Sequence, residues 1–326
     1  AMTGEQVAAI ETRDLAKLST AQFQAFTTDQ MPKLTTSQVA NLTTDQVATL
    51  QTVDLAKLGT DLISAFTSVQ IPALTTAQIA NLNTTQVSRL KASQVNAMSS
   101  AQLTALTSTQ LKALSVTALE TLDSTDMTSL TTTEVAALTT AQIKGLSSNF
   151  VAGLSTSQIR NLTTDQVQNL SASALSAFTE TQIQALSTNQ IQAITITQLK
   201  GLTPDKFGQL STSQVEKLTD DQVKNLSAAQ LKSFTTTGIS KLTSSQVGVL
   251  TATQVKGLST EALAALTTTQ APGLVDAQLK VLSEAQLQAI NSSTVGALTT
   301  SQIKVLSTSQ VQSLTTAATA ALTSNQ

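Results

Sequence analysis

An eight-residue repeat runs from Met2 to the end of this 326-residue sequence without one insertion or deletion. With Leu34 as place one, the chain divides into forty complete octads over residues 2–321 and a five-residue remnant over 322–326. Place one is Leu, Ile, Phe or Met in every octad, and place six is a large apolar residue in all but two. So short and regular a period predicts an array in which each unit packs on its neighbours.

The spacing of the apolar places restricts the backbone. They are separated alternately by five and three residues, and such odd steps alternate between the two faces of a β-strand. On one continuous α-helix, an eight-residue period drifts by about 80° per repeat and spreads the apolar stripe around the helix. The backbone must therefore change direction once in every octad.

Each octad carries the signals of a helix start and a helix end. In the octad of Leu34, Thr35 and Gln38 form the S/T-x-x-Q capping box, and Leu34 and Val39 form the hydrophobic staple. Eighteen of the 20 acids lie at places two to five and 15 of the 18 bases at places seven or eight, as the helix dipole favours. Place eight is often a residue typical of helix C-termini, namely Gly145, Gly153, Gly201, Gly257 and Gly273 or Asn41, Asn81, Asn161, Asn169 and Asn225.

These signals predict an all-α solenoid, a superhelix of very short helices with one helix per octad over about places three to seven. Pro204 at place three suits a helix N-terminus, whereas Pro32, Pro72 and Pro272 at place seven predict shorter or 3₁₀-like octads. We expect residues 1–326 to form a single array that belongs to a longer one, because the repeat is unchanged at both ends. Residues 1–2 resemble a cloning remnant.

The residue at place five varies with a period longer than one octad. It is Gln in 27 octads and an acid in four (Asp14, Asp54, Asp126, Glu134). The other nine exceptions recur every three or four octads, with one gap of seven, which predicts about 3.6 octads per superhelical turn. We interpret them as a stripe along one side that marks either a closer contact or a different solvent exposure, and as a candidate interaction stripe, with Phe150 exposed; the alternative is drift at a relaxed position. The stripe consists of Leu62, Ala118, Phe150, Ala174, Lys206, Gly238, Ala262, Thr294 and Ala318.

Composition excludes many kinds of chemistry. The chain has no His and no Cys, so it offers no imidazole base, no thiolate nucleophile, no disulfide and no His or Cys metal ligand. Asp123 and Asp126 fit an N-cap pair better than a weak calcium site. We therefore expect no catalytic, cofactor-binding or metal-binding residues, and no enzyme. A net charge of −2 without a basic block argues against nucleic-acid binding, and no apolar run is long enough for membrane insertion.

The phrase L-[ST]-[ST]-x-Q-[VIL]-x-[ANG] is most regular over residues 26–49, 74–89 and 298–313. In tandem it resembles octapeptide arrays found in very large secreted or surface-attached proteins of Gram-negative bacteria. The resemblance implies a spacer, stalk or adhesive role outside the cell, and it carries no catalytic residue to transfer.

Two functions of different kinds follow as hypotheses. The first is a stiff structural spacer, which forty octads without a loop insertion favour. The second is a binding scaffold for a protein, a glycan or another copy of the chain, including recognition of a host protein by an effector or toxin module; the place-five stripe is its candidate surface. Ordered-water binding by the Thr-rich places is a weaker alternative, because place two is committed to capping.

Overall fold

Every regular element that the computed structural model describes, over residues 2–234 and 236–326, is a short helix. Within those residues there are no strands, and no helix is both long and apolar enough to span a lipid bilayer. The all-α solenoid prediction is therefore confirmed. The helices form two compact units, Ala1–Ala177 and Phe178–Gln326, although the octad register continues unbroken through their boundary.

Over residues 2–177, the first unit contains twenty α-helices and two 3₁₀ helices. The α-helices are α1 (Gly4–Ala8), α2 (Thr12–Leu15), α3 (Thr20–Gln24), α4 (Thr36–Ala40), α5 (Thr44–Ala48), α6 (Thr52–Lys57), α7 (Thr60–Ala65), α8 (Thr76–Ala80), α9 (Thr84–Val87), α10 (Ala92–Asn96), α11 (Ser100–Thr104), α12 (Ser108–Ala113), α13 (Val116–Leu119), α14 (Ser124–Ser129), α15 (Thr132–Ala137), α16 (Thr140–Gly145), α17 (Ser148–Gly153), α18 (Thr156–Asn161), α19 (Thr164–Asn169) and α20 (Ala172–Ser176). The 3₁₀ helices are Met31–Lys33 and Ile71–Ala73.

The second unit, over its described residues, contains seventeen α-helices and one 3₁₀ helix. The α-helices are α21 (Glu180–Ala185), α22 (Thr188–Ala193), α23 (Ile196–Gly201), α24 (Pro204–Gly208), α25 (Thr212–Glu216), α26 (Asp220–Lys224), α27 (Ala228–Ser233), α28 (Thr236–Lys241), α29 (Ser244–Gly248), α30 (Ala252–Lys256), α31 (Thr260–Ala264), α32 (Asp276–Leu279), α33 (Glu284–Ala289), α34 (Ser292–Gly296), α35 (Thr300–Lys304), α36 (Thr308–Gln312) and α37 (Thr316–Ala320). The 3₁₀ helix is Ala271–Gly273.

Helices begin at the predicted capping box. Before α4, the Thr35 hydroxyl accepts a hydrogen bond from the Gln38 backbone N–H at 3.1 Å, and Gln38 Oε1 accepts one from the Thr35 N–H at 2.8 Å. The same reciprocal pair precedes α5, α8, α12 and α16. Five octads lack a capping residue at place two, and there no place-two side chain accepts a hydrogen bond from the helix; these carry Glu11, Gln51, Gly59, Lys91 and Val275.

Helix ends at place eight have two separate causes. Asn41 and Asn81 each donate from the side-chain amide to the carbonyl four residues earlier, at 2.8 Å, and so add a hydrogen bond at the helix end. No described residue has a positive φ, so glycine is not needed there for a left-handed backbone, and at Gly145, Gly153 and Gly273 it allows close packing. A Cβ added at Gly273 would lie 2.2 Å from the Ser244 carbonyl oxygen, and one at Gly145 would lie 2.3 Å from Val116 Cγ1.

Proline behaves as predicted at both of its places. Pro204 is the first residue of α24, where its missing N–H costs nothing. The three prolines at place seven, Pro32, Pro72 and Pro272, each lie in one of the 3₁₀ helices.

Within each unit, helices three octads apart in sequence pack on one another, as α4 does on α7 and α24 on α27. Side chains of places one and six fill the interior, and Val39 and Val47 are fully buried. Side-chain bonds between successive turns join residues 28 and 31 apart, for example from Gln78 to Leu50 and Val47. These separations are about three and a half to four octads, which agrees with the predicted pitch.

Candidate functional site: the place-five positions

The glutamine at place five lies between two successive turns of the array. Gln78 is 2% exposed, and its Oε1 accepts a hydrogen bond from the backbone N–H of the N-cap Thr75 at 2.6 Å. Its Nε2 donates to the carbonyls of Val47 and Leu50, at 3.0 and 2.7 Å. The side-chain amide of one glutamine therefore caps its own helix and also donates hydrogen bonds to the preceding turn of the superhelix.

We call this pair of Nε2 bonds a rung. A rung joins place five of one octad to place six four octads earlier and to place one three octads earlier. Its two acceptors flank the corner between two helices, so each rung closes a corner of the preceding turn. Glutamines that make both bonds include Gln38, Gln46, Gln70, Gln78, Gln86, Gln94, Gln102, Gln110, Gln142, Gln158, Gln166, Gln214, Gln222, Gln230, Gln254, Gln270, Gln278, Gln286, Gln302 and Gln310.

Sequence analysis predicts the capping half of this role and misses the rung. A signal for it is present in the sequence. A capping box accepts Glu as well as Gln at N3, yet place five is Gln in 27 octads and Glu only at Glu134. Because only the amide can donate, this bias indicates that place five needs a donor as well as an acceptor.

The residues of the predicted interaction stripe lie between successive turns of the superhelix, and eight of the nine are buried. The interpretation of the stripe as an exposed surface is therefore wrong. Phe150, predicted to be exposed, is 1% exposed. The cause is the capping geometry, which folds the place-five side chain under its own helix N-terminus and against the preceding turn. Lys206 is half-buried. The stripe residues that are buried are Leu62, Ala118, Phe150, Ala174, Gly238, Ala262, Thr294 and Ala318.

Two stripe residues keep part of the rung. Lys206 donates from Nζ to the carbonyl of Phe178, and Thr294 donates from Oγ1 to the carbonyl of Leu266 at 2.9 Å. Both acceptors lie 28 residues earlier, as in the glutamine rungs. The other seven stripe residues have no side-chain group that can donate.

The structure brings some stripe positions together in adjacent turns. The helices of Phe150 and Ala174, α17 and α20, pack on each other, and so do α34 and α37, which carry Thr294 and Ala318. Leu62 and Ala118 are seven octads apart in sequence, well beyond the span of a rung. The stripe is therefore an internal set of missing or shortened rungs.

Carboxylates at place five show what the position requires. Asp54 is 3% exposed, and its Oδ1 is buried without a hydrogen-bond partner. Glu134 keeps the capping bond, with Oε2 accepting from the Thr131 N–H at 2.6 Å, but a carboxylate cannot donate a rung.

The Asp123–Asp126 pair forms a capping box, as predicted. Asp123 Oδ1 accepts from the N–H groups of Thr125 and Asp126 at 2.7 and 2.9 Å. The pKa of the Asp126 carboxyl is raised above its ordinary value, mainly because the group is partly buried. The hydrogen bond from the Asp123 backbone opposes this rise, and the Asp123 charge adds to it. No group of three or more potential metal ligands occurs in residues 2–234 and 236–326.

Four stretches of the chain, residues 7–44, 47–84, 79–116 and 135–172, match the ALTTAQ repeat family. The name-giving hexapeptide occurs here at 73–78 and 137–142, where it spans place eight of one octad through place five of the next. No curated protein matches the chain. The tandem matches and the helical structure together show an array of structural repeats similar to the ALTTAQ repeat.

Proposed function

We propose that this chain is a non-enzymatic structural spacer: a stiff repeat region that separates other parts of a larger protein. The rung carries this proposal. Twisting or separating two adjacent turns breaks a pair of buried hydrogen bonds at each rung, and a buried donor or acceptor left unpaired costs about 1–3 kcal/mol. Repeated along the array, such bonds resist both bending and axial separation.

Burial of place five supports the spacer over the binding scaffold. Eight of the nine residues singled out as an interaction stripe are buried between turns, so they are not available to a protein or glycan while the chain is folded. Recognition of a partner would have to use the outer places. Those places carry mainly short Ser, Thr and Ala side chains together with most of the charged residues, in near-equivalent octads without a loop that sets one octad apart.

We further propose that the spacer acts outside the cell, in a secreted or cell-surface bacterial protein, as a stalk or adhesin-like segment. Support for this comes from the resemblance of the octapeptide arrays to those of very large exported proteins of Gram-negative bacteria. An absence of cysteine is compatible with that location.

Stiffness within the first unit is directly measurable, because the chain has no native cysteine to compete for spin labels. Ser37 and Ser157 are exposed at place four of two octads that are 120 residues apart. We expect Ser37→Cys with Ser157→Cys to give one narrow distance distribution by pulsed electron paramagnetic resonance. Changing Gln78, Gln94 and Gln110 to Glu between the labels should broaden it.

A distribution in the parent chain as broad as that of a flexible linker would contradict the spacer. As a parallel test, the intact chain can be immobilised and exposed to host-cell surface proteins and bacterial glycans. Saturable binding at micromolar affinity or better would favour the binding scaffold instead.

A further inference from the structure

Rungs are unevenly distributed along the first unit. From Gln70 to Gln110, six consecutive octads carry a glutamine that makes both rung bonds. The next five place-five residues are Ala118, Asp126, Glu134, Gln142 and Phe150. Of these five, only Gln142 has a side chain that donates to the preceding turn, at 2.8 Å to both Leu111 and Leu114.

An open cleft of about 540 Å³ lies in the same section. Its walls come from residues 120–124 on one side and from Ser147, Asn149, Ala152 and Gly153 on the other. A rung from position 150 would end on the carbonyls of Leu119 and Leu122, by the 31- and 28-residue rule. Leu122 lines the cleft, and Phe150, which is buried in the interior, offers no donor to its carbonyl.

Charge adds to the effect of the missing rungs. Residues 115–153 contain the four acids Glu120, Asp123, Asp126 and Glu134 and one base, Lys144. Asp126 and Glu134 occupy place five, where the side chain faces the preceding turn. An excess of like charges opposes compact packing, so this section combines fewer bonds between turns with a net negative charge.

We infer that residues 115–153 form a yielding section of the first unit, where successive turns separate before those of the preceding section, residues 70–113. Opening there breaks fewer buried hydrogen bonds, and stability in a repeat array is set by nearest-neighbour contacts. The section gives the array a defined place at which it opens. This inference concerns local opening and holds whether or not the chain acts as a spacer.

Hydrogen exchange read by mass spectrometry on the full chain tests the inference. We expect amides of residues 115–153 to exchange faster than those of residues 70–113. Glu134→Gln is nearly isosteric and supplies the missing donor, with the carbonyls of Leu103 and Leu106 as acceptors by the 31- and 28-residue rule. Two restored hydrogen bonds should slow exchange in α15 by about tenfold.

Two further variants separate rungs from charge. Gln142→Glu removes the one glutamine rung of the section and should speed exchange across α16. Glu120→Gln removes one acid from the same section at an exposed site without adding a rung, and it should slow exchange far less than Glu134→Gln. Equal slowing by the two Glu→Gln variants, or equal exchange in residues 115–153 and 70–113 of the parent chain, would overturn the inference.

Discussion

At the scale of single residues, the place-five amide satisfies three backbone groups at once. In Gln94, Oε1 accepts from the Lys91 N–H at 2.7 Å, and Nε2 donates to the carbonyls of Ile63 and Phe66, both at 2.8 Å. Glu lacks the donors and Asn is one methylene shorter, so among the natural side chains glutamine alone combines this reach with both functions. Even Lys91, which has no capping acceptor, begins a helix because Gln94 satisfies its N–H.

Gln94→Glu should therefore be costly although it changes only a few atoms. Both Nε2 donors are lost, and a carboxylate is placed against two carbonyl oxygens in a buried site, so we expect a loss of about 3 kcal/mol or more in the free energy of unfolding. Urea unfolding followed by circular dichroism measures the change.

Gln22→Glu is the matched control for this substitution. Gln22 caps α3 in the same way, and its side chain is exposed. It lies in the first turn of the superhelix, where no preceding turn offers carbonyls for a rung. A carboxylate there retains the capping acceptor, so we expect a change below about 0.5 kcal/mol. Comparable losses in the two variants would mean that the rungs contribute little to stability.

At the scale of the helical element, sequence signals predict where each helix begins better than how it ends. Capping boxes, Pro204 at the first helical position and the 3₁₀ octads of Pro32, Pro72 and Pro272 all follow from local chemistry and are confirmed. Glycine at place eight is different. Its role at Gly273 depends on the Ser244 carbonyl 29 residues earlier, which no local signal identifies.

That close approach predicts a large effect for a small substitution. In Gly273→Ala the new Cβ would lie 2.2 Å from a backbone oxygen that no side-chain rotation can move. We expect the displaced turn to cost about 2 kcal/mol, as overpacking of a tight interface does. Differential scanning calorimetry should show a clearly lower Tm.

Gly59→Ala provides the comparison, since a Cβ there meets nothing within 4 Å. Loss of a weak N-cap is partly offset by a less flexible unfolded chain, so we expect a change below about 1 kcal/mol. If Gly59→Ala lowers the Tm as much as Gly273→Ala, close packing does not explain glycine at place eight.

The place-five stripe shows a second limit of local patterns. Its three- to four-octad spacing predicts the correct number of octads per superhelical turn. The same spacing does not reveal whether the stripe side chains face solvent or lie buried between turns. Phe150 and Ala174 fit an outer ridge and an inner seam equally well until the direction of the capping side chain is known. Burial of Gln78 and its neighbours resolves the choice.

At the scale of the whole chain, equivalence of the octads is the property that most constrains its behaviour. Sequence analysis predicts one array over residues 1–326, whereas the structure groups the chain into the units Ala1–Ala177 and Phe178–Gln326. Nothing in the repeat marks this boundary, because Leu170, Phe178 and Leu186 hold place one in unbroken register. Grouping of this kind depends on contacts between turns and not on the octad pattern.

Equivalence predicts how the chain tolerates deletion. Removing one complete octad, residues 82–89, moves every later residue by a full period, so each place-five side chain again faces carbonyls of places six and one. We expect the shortened chain to keep its helical circular dichroism signal and to unfold cooperatively. Removing only residues 82–85 places polar residues opposite the interior and should lower the Tm sharply.

Equal effects of the two deletions would contradict the equivalence of octads. Loss of helical signal in the eight-residue deletion would show that particular octads, and not the period, determine the fold. The four-residue deletion acts as the control for chain shortening at the same site.

The reach of the rungs also determines the order in which the chain can assemble. Each rung described above joins residues 28 and 31 apart, so an octad needs only the preceding four in order to complete its bonds. Contacts of such short range favour rapid folding. Folding can therefore proceed turn by turn as the chain emerges from a ribosome or a narrow export channel, because each new turn packs on one that is already folded. The first turns of an array of any length can reach their native structure before the rest of the chain is available.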